Sequence, residues 1–434
     1  MNLHALALAR LENGEGPVRA GVIGAGKFGS MFLNQVPTSP LEVTAIADLD
    51  PERAKTACRT IGWEEERIES VAFVDDGREL AARDDVDVVL EVTGSPVAGI
   101  AHARAAFASA KHIVMVNVEA DVLAGPLLAR EAQAAGVVYS MAYGDQPALV
   151  CEIVDWARAA GFEVVAAGKG TKYLPSYHAS TPDTVWDHYG LTADEAKQAG
   201  MNPQMFNSFL DGTKSGIEMT AIANACDLTP SPDGLQFPDV PTDELQDRLI
   251  PVEDGGLLHH KGEVEVVSSL FRDGTEIPNN LRWGVYAVFE APNDYAKSCF
   301  AQYGLKTDKS GQYSAMYRPY HLIGLELGIS VLSAALRGEP TGQTKGFVSD
   351  VVSVAKRDLK AGEVLDGEGG FTVWGKAQPA AKSLQFGALP IGLAHGVTLT
   401  RPIKQGETVR WQDVLADEEA DAVKTRRAME QAFA

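Results

Sequence analysis

Residues 18–29 read VRAGVIGAGKFG, an aliphatic run that leads directly into three glycines with the spacing GxGxxG. In a strand–turn–helix unit the first glycine allows a tight turn, the second lets a pyrophosphate approach the backbone, and the third lets the helix pack against the strand. The free amides at the start of the helix also favour an anion. The stretch therefore predicts a dinucleotide-binding unit whose phosphate loop consists of Gly24, Gly26, Lys27, Phe28 and Gly29.

Two side chains after the loop bear on the type of dinucleotide. Asp48 ends the next aliphatic run, about 20 residues after Gly29, where an acidic residue reads the ribose hydroxyls and favours NAD. Arg53 follows closely and is suited to pair with the 2′-phosphate of NADP, so the sequence leaves both cofactors open. Thr93 and Gly94 follow the third long aliphatic run, and we expect them to line the nicotinamide.

Around this loop, short aliphatic runs alternate with amphipathic stretches of helical length. The runs are nearly continuous in Val, Ile and Leu, which is typical of strands buried on both faces of a parallel sheet. They lie at residues 19–23, 43–47, 86–92, 112–116 and 137–141. Residues 1–148 are therefore predicted to form a doubly wound α/β domain, a Rossmann fold that binds the dinucleotide.

The remaining chain divides in two by pattern. Residues 149–341 mix helical and strand-like stretches, including an apolar helix predicted at 320–336, and are predicted to form an α+β domain for the substrate and for dimerisation. Residues 342–434 contain the repeat basic–x–apolar–Lys–x–Gly–Glu, at 357–363 and again at 401–407. This repeat predicts a separate small β domain.

The composition excludes several classes of protein. With 45% hydrophobic and 22% charged residues, the chain is typical of folded globular proteins. Its net charge of −21 disfavours binding to nucleic acid or to an anionic membrane. No apolar run is long enough to span a membrane, and four cysteines without CxxC spacing indicate neither disulfides nor a zinc site. We expect a cytoplasmic homodimer or larger homo-oligomer with a small anionic substrate.

The motifs of the N-terminal region resemble those of the homoserine dehydrogenase superfamily: the GxGxxG loop, Asp48, Thr93-Gly94 and the Val-Asn-Val-Glu-Ala segment at 116–120. The C-terminal repeat resembles the SAF module, a β-clip fold. Together they are similar to homoserine dehydrogenase-like proteins with a C-terminal SAF domain. This resemblance favours NADPH and implies an activity like that of 1-deoxy-D-xylulose 5-phosphate reductoisomerase, which forms 2-C-methyl-D-erythritol 4-phosphate for isoprenoid synthesis. It is compatible with a divalent metal ion, for which the sequence indicates no ligands.

One segment departs from the superfamily pattern and supplies the first catalytic candidates. Homoserine dehydrogenases carry Gly-x-Asp-Ala-x-x-Lys on the substrate helix; here Gly216-Ile217-Glu218 matches the glycine and the acid, but Ile222 replaces the lysine. This departure argues against homoserine as the substrate. Lys214 precedes Glu218 by one turn, so both side chains lie on one face of a predicted helix. We predict that Lys214 donates to the substrate oxygen and that Glu218 orients it.

Other polar residues in the same region are candidates for substrate binding. Lys169 and Lys172 follow an apolar strand, and Lys172 corresponds to an asparagine of homoserine dehydrogenases, so it is also a catalytic candidate. His178 is a candidate proton shuttle or anion donor, with a purely structural role as the alternative. Arg318 and His321 are predicted to open the apolar helix, where an anion is favoured; capping and packing explain them equally well.

These residues predict an NAD(P)-dependent oxidoreductase that acts on a small polyol phosphate or a related ketose. A dehydrogenase of a semialdehyde or a sugar acid is the alternative among enzymes. A different class is a nucleotide sensor without turnover, but a sensor needs no reactive lysine–acid pair. A carbohydrate-binding or assembly role of the SAF-like module would leave the GxGxxG loop and Asp48 without a function.

Overall fold

The computed structural model describes residues 2–198 and 200–433, and the chain forms two compact units. The first unit comprises Met1–Glu152 and His321–Lys345, and the second comprises Ile153–Tyr320 and Gly346–Ala434. This division differs from the sequence prediction, in which residues 149–341 and 342–434 form separate domains. None of the helices in the described residues is both long enough and apolar enough to cross a membrane.

The regular elements follow in chain order. The described α-helices are α1 (Leu3–Glu12), α2 (Lys27–Gln35), α3 (Pro51–Thr60), α4 (Glu65–Glu69), α5 (Gly77–Ala81), α6 (Pro96–Ala108), α7 (Val118–Ala135), α8 (Gln146–Ala159), α9 (Val185–Tyr189), α10 (Ala193–Gln198), α11 (Pro203–Leu210), α12 (Thr213–Cys226), α13 (Leu245–Arg248), α14 (Asp294–Gln302), α15 (Gly328–Arg337), α16 (Ala380–Phe386) and α17 (Asp421–Phe433). The described strands are β1 (Val18–Ile23), β2 (Leu41–Ala47), β3 (Ala72–Val74), β4 (Val88–Glu91), β5 (His112–Met115), β6 (Tyr139–Met141), β7 (Glu163–Thr171), β8 (Thr229–Pro230), β9 (Glu263–Ser268), β10 (Val285–Glu290), β11 (Tyr313–Arg318), β12 (Ser349–Ala355), β13 (Val364–Asp366), β14 (Val373–Pro379), β15 (His395–Leu399) and β16 (Val414–Leu415).

The first unit contains a parallel six-stranded sheet with the strand order β3-β2-β1-β4-β5-β6. This order confirms the predicted doubly wound α/β architecture. The five predicted aliphatic runs form β1, β2, β4, β5 and β6, because continuous aliphatic side chains suit strands covered on both faces; every residue of β4 is buried. The edge strand β3 has only three half-buried residues and gives no comparable signal in the sequence.

Helix α15 explains why the units differ from the predicted domains. The helix begins at Gly328 rather than at residue 320, because the preceding residues form turns in which Gly324 has φ +81°. Val331 of α15 is buried in the same core as Val18 of β1 and Leu33 of α2. Burying this apolar face stabilises the first unit, so the segment His321–Lys345 belongs to it.

The second unit is organised around a mixed sheet with the order β11-β10-β7-β9-β8. Its central strand β7 runs parallel to β9 and antiparallel to β10. Two glycines of β7 have neighbours so close that a side chain would not fit. A Cβ on Gly168 would lie 1.9 Å from the carbonyl oxygen of Glu265, and one on Gly170 would lie 1.9 Å from that of Leu281. These glycines allow the close approach of backbone that surrounds Lys169.

The predicted repeat pairs with itself in the C-terminal part of the second unit. Leu359 and Ile403 occupy equivalent positions in the two copies, and each donates its N–H to the other's carbonyl oxygen, at 2.8 and 3.1 Å. In both copies the glutamate accepts the amide of the lysine three residues earlier, Lys360 for Glu363 and Lys404 for Glu407. The two copies thus form one small β fold.

This β fold is not a separate body, because α12 packs directly on β12 and β14. The Oγ1 atom of Thr213 accepts the N–H of Gly375 at 2.8 Å. A Cβ on Gly216 would lie 2.9 Å from the carbonyl oxygen of Gly375. The side chain of Asn224 accepts the N–H of Ser349 at 2.9 Å and donates to its carbonyl oxygen at 3.2 Å. Residues 153–320 and 346–434 consequently share one compact unit.

Candidate active site

The phosphate loop lies between β1 and α2, and its three glycines have different surroundings. Gly24 has φ +104°, and a Cβ there would lie 3.0 Å from the carbonyl oxygen of Val92. A Cβ on Gly29 would lie 2.4 Å from the carbonyl oxygen of Gly24. Around the Cβ position of Gly26, in contrast, no heavy atom lies within 4 Å. The space is open where a pyrophosphate must approach, and α2 begins at Lys27 with its first amides directed there, so the residues fit a dinucleotide.

Asp48 connects this loop to the end of β2. Its carboxylate accepts the N–H of Ala25 at 3.0 Å, and both of its oxygens accept from Arg53, at 2.6 and 2.8 Å. Burial alone would raise the pKa of Asp48, but the hydrogen bonds from Arg53, Asp50 and Ala25 outweigh it and hold that pKa below its usual value. The Arg53 side chain is 62% exposed. It can therefore leave Asp48 without exposing any core.

Glu91, a buried acid that the sequence analysis did not single out, contacts Thr93. Glu91 ends β4 and is fully buried; its Oε1 atom accepts the Thr93 hydroxyl at 2.5 Å and lies 3.1 Å from Nδ1 of His102. Because the Thr93 hydroxyl donates its proton to Glu91, its oxygen can only accept hydrogen bonds from a ligand. Gly94 follows with φ +73°, and its Cβ position is open. The sequence could have indicated Glu91, because it is an acidic residue inside an aliphatic run.

The second unit contains a buried ion pair between Lys169 of β7 and Glu218 of α12. Their side chains are only 7% and 5% exposed. Lys169 is flanked in the sheet by Val285 and Val266, which are both fully buried. Charged groups occupy such surroundings only when paired, because desolvation costs several kcal/mol per ion, on the order of the attraction gained. This pair therefore concentrates charge in an apolar part of the sheet.

The pair adds a second lysine to the roles predicted from the sequence. Glu218 was predicted to orient Lys214, and the structure pairs Glu218 with Lys169. Lys214 lies in the first turn of α12 and is partly buried; its catalytic role stays a prediction. The sequence could have indicated Lys169, because it is a lysine between two glycines at the end of a buried apolar strand. Its partner lies 49 residues away and has no local signature.

His178 has a structural role in this unit. Its Nδ1 atom lies 2.7 Å from the carbonyl oxygen of Asp211, so Nδ1 carries the proton, and Nε2 accepts the hydroxyl of Tyr173 at 2.9 Å. The ring stacks on Trp374 at 3.9 Å. Burial lowers the pKa of His178 to about 4, because this desolvation outweighs the contact with Asp211 that favours the charged ring. Both nitrogens are occupied by protein groups, which fits the structural alternative; the role as a proton shuttle or anion donor stays a prediction.

The remaining candidates have other surroundings than the sequence suggested. Lys172 donates to the carbonyl oxygen of His188 and lies over the ring of Tyr189; burial and the charge of Arg282 lower its pKa. Its catalytic role stays a prediction. Arg318 ends β11, with its guanidinium 5.1 Å from the ring of Tyr320.

The prediction that Arg318 and His321 open a helix is wrong, because α15 begins only at Gly328. Their substrate-binding roles remain untested. Within residues 2–198 and 200–433, no group of three or more His, Cys, Asp or Glu side chains is placed to hold a metal ion. We therefore derive no step through a metal.

Three protein-family models match the chain in succession. Residues 18–117 match the oxidoreductase family with an NAD-binding Rossmann fold, residues 144–327 match the catalytic domain of oxidoreductase DRL, and residues 351–415 match the SAF domain. The first match covers the phosphate loop, and the second covers Lys169 and Glu218.

The chain thus combines a match to an NAD-binding Rossmann fold with a match to an oxidoreductase catalytic domain.

Solved structures similar to this chain include two dehydrogenases, one of them described as probable, and a ketoreductase. A probable dehydrogenase from Thermotoga maritima is 16% identical, with 74% of this chain and 90% of that chain covered and a TM-score of 0.38. Myo-inositol dehydrogenase from Lactobacillus casei, in complex with NAD(H) and myo-inositol, is 20% identical, with 39% and 50% covered and a TM-score of 0.29. The 3-ketoreductase KijD10 from Actinomadura kijaniata, in complex with NADP and TDP-benzene, is 22% identical, with 37% and 48% covered and a TM-score of 0.26.

The chain thus spans about half the length of the ketoreductase and of the inositol dehydrogenase that it matches. No curated protein matches its sequence.

Proposed function

We propose that this oxidoreductase transfers a hydride between NADP and the carbonyl or alcohol carbon of a small anionic substrate, with Lys169 as the hydrogen-bond and proton donor to the substrate oxygen. Glu218 is proposed to hold the ammonium group in position. The observation that carries the proposal is the buried Lys169–Glu218 pair in the part of the chain that matches an oxidoreductase catalytic domain.

The chemistry explains why a buried lysine suits this role. When bound, the nicotinamide supplies or accepts the hydride, and the substrate oxygen takes up negative charge during reduction. An ammonium group stabilises that charge and can give the oxygen a proton. Glu218 is the partner of Lys169 within the described residues and takes one of its three N–H donors, so two donors remain.

A purely structural role accounts less well for the pair. Replacing a buried ion pair by apolar residues is often neutral or even stabilising, so a pair of this kind is weak evidence for stability. Buried charged pairs with unused hydrogen-bonding capacity are typical of functional sites. A nucleotide sensor without turnover would need the phosphate loop but not this pair.

Two observations bear on the cofactor and the substrate. The exposed guanidinium of Arg53 is free to turn from Asp48 to a 2′-phosphate, which favours NADP, whereas Asp48 without Arg53 is suited to the ribose hydroxyls of NAD. The resemblance to SAF-containing homoserine dehydrogenase-like proteins supports 1-deoxy-D-xylulose 5-phosphate as the first substrate to test. Semialdehydes, polyol phosphates and sugar acids are the second group.

The test compares Lys169→Met with Lys214→Met. Oxidation of NADPH and NADH is followed against ketose phosphates, semialdehydes and sugar acids, and kcat is measured on the best substrate. Loss of a preorganised donor lowers kcat by a factor of about 10²–10³, so we expect the kcat of Lys169→Met to fall by that factor. The kcat of Lys214→Met should stay within about threefold of that of the parent protein.

Nucleotide affinity and the circular dichroism spectrum control for folding in both variants. A large loss in Lys214→Met with near-normal turnover in Lys169→Met would overturn the proposal and restore the role predicted for Lys214. Absence of turnover by the parent on every substrate class would support the sensor instead.

A further inference from the structure

Lys376 on β14 is a half-buried lysine that takes part in no ion pair among the residues the structure describes. Its stem lies against the turn at Gly234, where a Cβ would be 2.8 Å from Cε of Lys376. Burial and the nearby charge of Lys382 both lower the pKa of Lys376. A lysine in such a position is partly desolvated without a carboxylate in contact to offset the cost.

The acids around Lys376 are engaged elsewhere or exposed. Asp233 is the acid that acts on Lys376, but it is 80% exposed and lies 3.7 Å from Nζ of Lys382. Asp211 is fully buried and lies 2.7 Å from Nζ of Lys356. The region is therefore locally positive in a chain whose net charge is −21.

Two stacked pairs of neutral aromatic rings lie near Lys376 in the same unit. Trp374, two residues earlier on the same strand, stacks on His178, and Tyr173 stacks on Phe237 at 4.0 Å. His178 is a neutral imidazole whose two nitrogens are occupied. Burial is the main cause that lowers the pKa of His178, and the charge of Lys376 lowers it further. These rings reduce the local polarity and strengthen the field of one ammonium group.

We propose that Lys376 is an anion-binding position, which takes a phosphate or carboxylate group of a small molecule. The SAF-like part of the chain would then contribute directly to substrate recognition. Nothing in the family matches assigns a residue of that part to a ligand. The proposal rests on the proposed function in one respect, since the anion would be part of the substrate of the same enzyme.

The experiment measures binding of an anion rather than turnover. Full-length protein is saturated with NADP⁺ so that its pyrophosphate occupies the phosphate loop. Inorganic phosphate and malonate are then titrated separately by calorimetry. The variants are Lys376→Met, which keeps the aliphatic stem against Gly234, Lys376→Arg, which keeps the charge, and Lys382→Met as the matched control.

Loss of a hydrogen bond to a charged group predicts a Kd for Lys376→Met that is raised about tenfold or more. The Kd of Lys376→Arg should stay within about threefold of the parent value. The Kd of Lys382→Met should stay within about twofold of it, because Lys382 is 53% exposed and donates to the carbonyl oxygen of Pro232. The stronger of the two probes identifies the anion class.

Unchanged affinity in Lys376→Met would overturn the proposal, and so would equal losses in Lys376→Met and Lys382→Met, which indicate a diffuse positive field. If Lys376→Met unfolds, a loss of affinity in Lys376→Arg would also count against it, because the charge is retained there. None of these outcomes depends on hydride transfer, so failure of the Lys169 mechanism would be seen separately.

Discussion

The second unit contains two buried lysine–carboxylate pairs that differ in how completely the lysine is satisfied. Lys356 lies 2.7 Å from Asp211 and also donates to the carbonyl oxygens of Ser180 at 2.8 Å and Gly370 at 2.7 Å. Two of its donors meet carbonyl oxygens, and its charge is paired with Asp211. Within the described residues, Lys169 has one acceptor, Glu218. Both lysines are equally buried, at 5% exposure of the residue.

This difference separates structure from chemistry. A lysine whose charge is paired and which also donates to carbonyl oxygens of two other segments holds those segments together and keeps at most one donor for a ligand. A lysine with one acceptor has the same desolvation cost but keeps donors for another molecule. Burial by itself therefore does not identify a catalytic lysine; the number of its unused donors does.

The largest effect is expected for the satisfied lysine. Lys356→Met leaves Asp211 buried without a cation and leaves the carbonyl oxygens of Ser180 and Gly370 without their donor, so the free energy of unfolding should fall by about 3–5 kcal/mol. Urea unfolding followed by tryptophan fluorescence measures it. The control is Lys360→Met in the same β fold, an exposed position where the change should stay within about 0.5 kcal/mol. A loss below about 1 kcal/mol in Lys356→Met would remove the structural half of the comparison.

The next effect concerns turnover. In the double variant Lys169→Met/Glu218→Leu neither charge of this pair is left buried without the other, so the free energy of unfolding should change by only about 1 kcal/mol or less. Its kcat should still fall by about 10²–10³, because the donor to the substrate oxygen is gone. Activity and urea unfolding are measured on the same preparation. Retained activity in a stable double variant would show that this pair is structural as well.

A smaller effect depends on pH and involves His178, which contacts the Lys356 partner Asp211. The pKa of His178 is lowered to about 4 by burial, against about 6.5 in an unfolded chain. Between these values the unfolded state binds more protons, so stability falls as the pH falls through this window, by up to about 3 kcal/mol. His178→Gln keeps a donor and an acceptor but does not titrate. The variant should lose this part of the pH dependence; the same slope in both proteins would assign it to other groups.

The smallest effect is expected at the ion pair of the first unit between the exposed Arg53 and the buried Asp48. Arg53→Ala should change the free energy of unfolding by at most about 1 kcal/mol, because the arginine is largely solvated and the Asp48 carboxylate keeps the N–H groups of Ala25 and Asp50 as donors. It should raise the Kd of NADPH about tenfold, through loss of a charge-assisted contact, and leave the Kd of NADH within about twofold. The fluorescence of the reduced nucleotides measures both constants. Equal losses for the two nucleotides would exclude Arg53 as a reader of the 2′-phosphate.

Local signals in the sequence were sufficient for the phosphate loop and for the parallel sheet. The tight turn at Gly24, the open space at Gly26 and the close contact at Gly29 all depend on residues within one strand–turn–helix unit. The internal repeat was also visible, because Leu359 and Ile403 occupy equivalent positions in two copies of one motif. Glu218 was identified as an important acid from its place in a local pattern.

What the sequence did not show are partners that are distant in sequence. It pointed to Lys214 as a neighbour of Glu218, because helical spacing is the only neighbourhood that a sequence shows directly. The packing of α12 against β7 also brings Lys169 to that acid. The start of α15 at Gly328 was missed because apolar spacing continues through the preceding turns.

The sequence by itself determined the class of the first unit and its ligand, since glycine spacing and aliphatic runs act over a few residues and leave little conformational choice. Only the tertiary structure decided which lysine has unused donors, which histidine is satisfied, and that the SAF-like part shares a unit with α12. The physical reason is that a charge or hydrogen bond in a buried site depends on what surrounds it. For Lys169, Lys356 and Lys376 those surroundings come from segments that meet only in the folded chain.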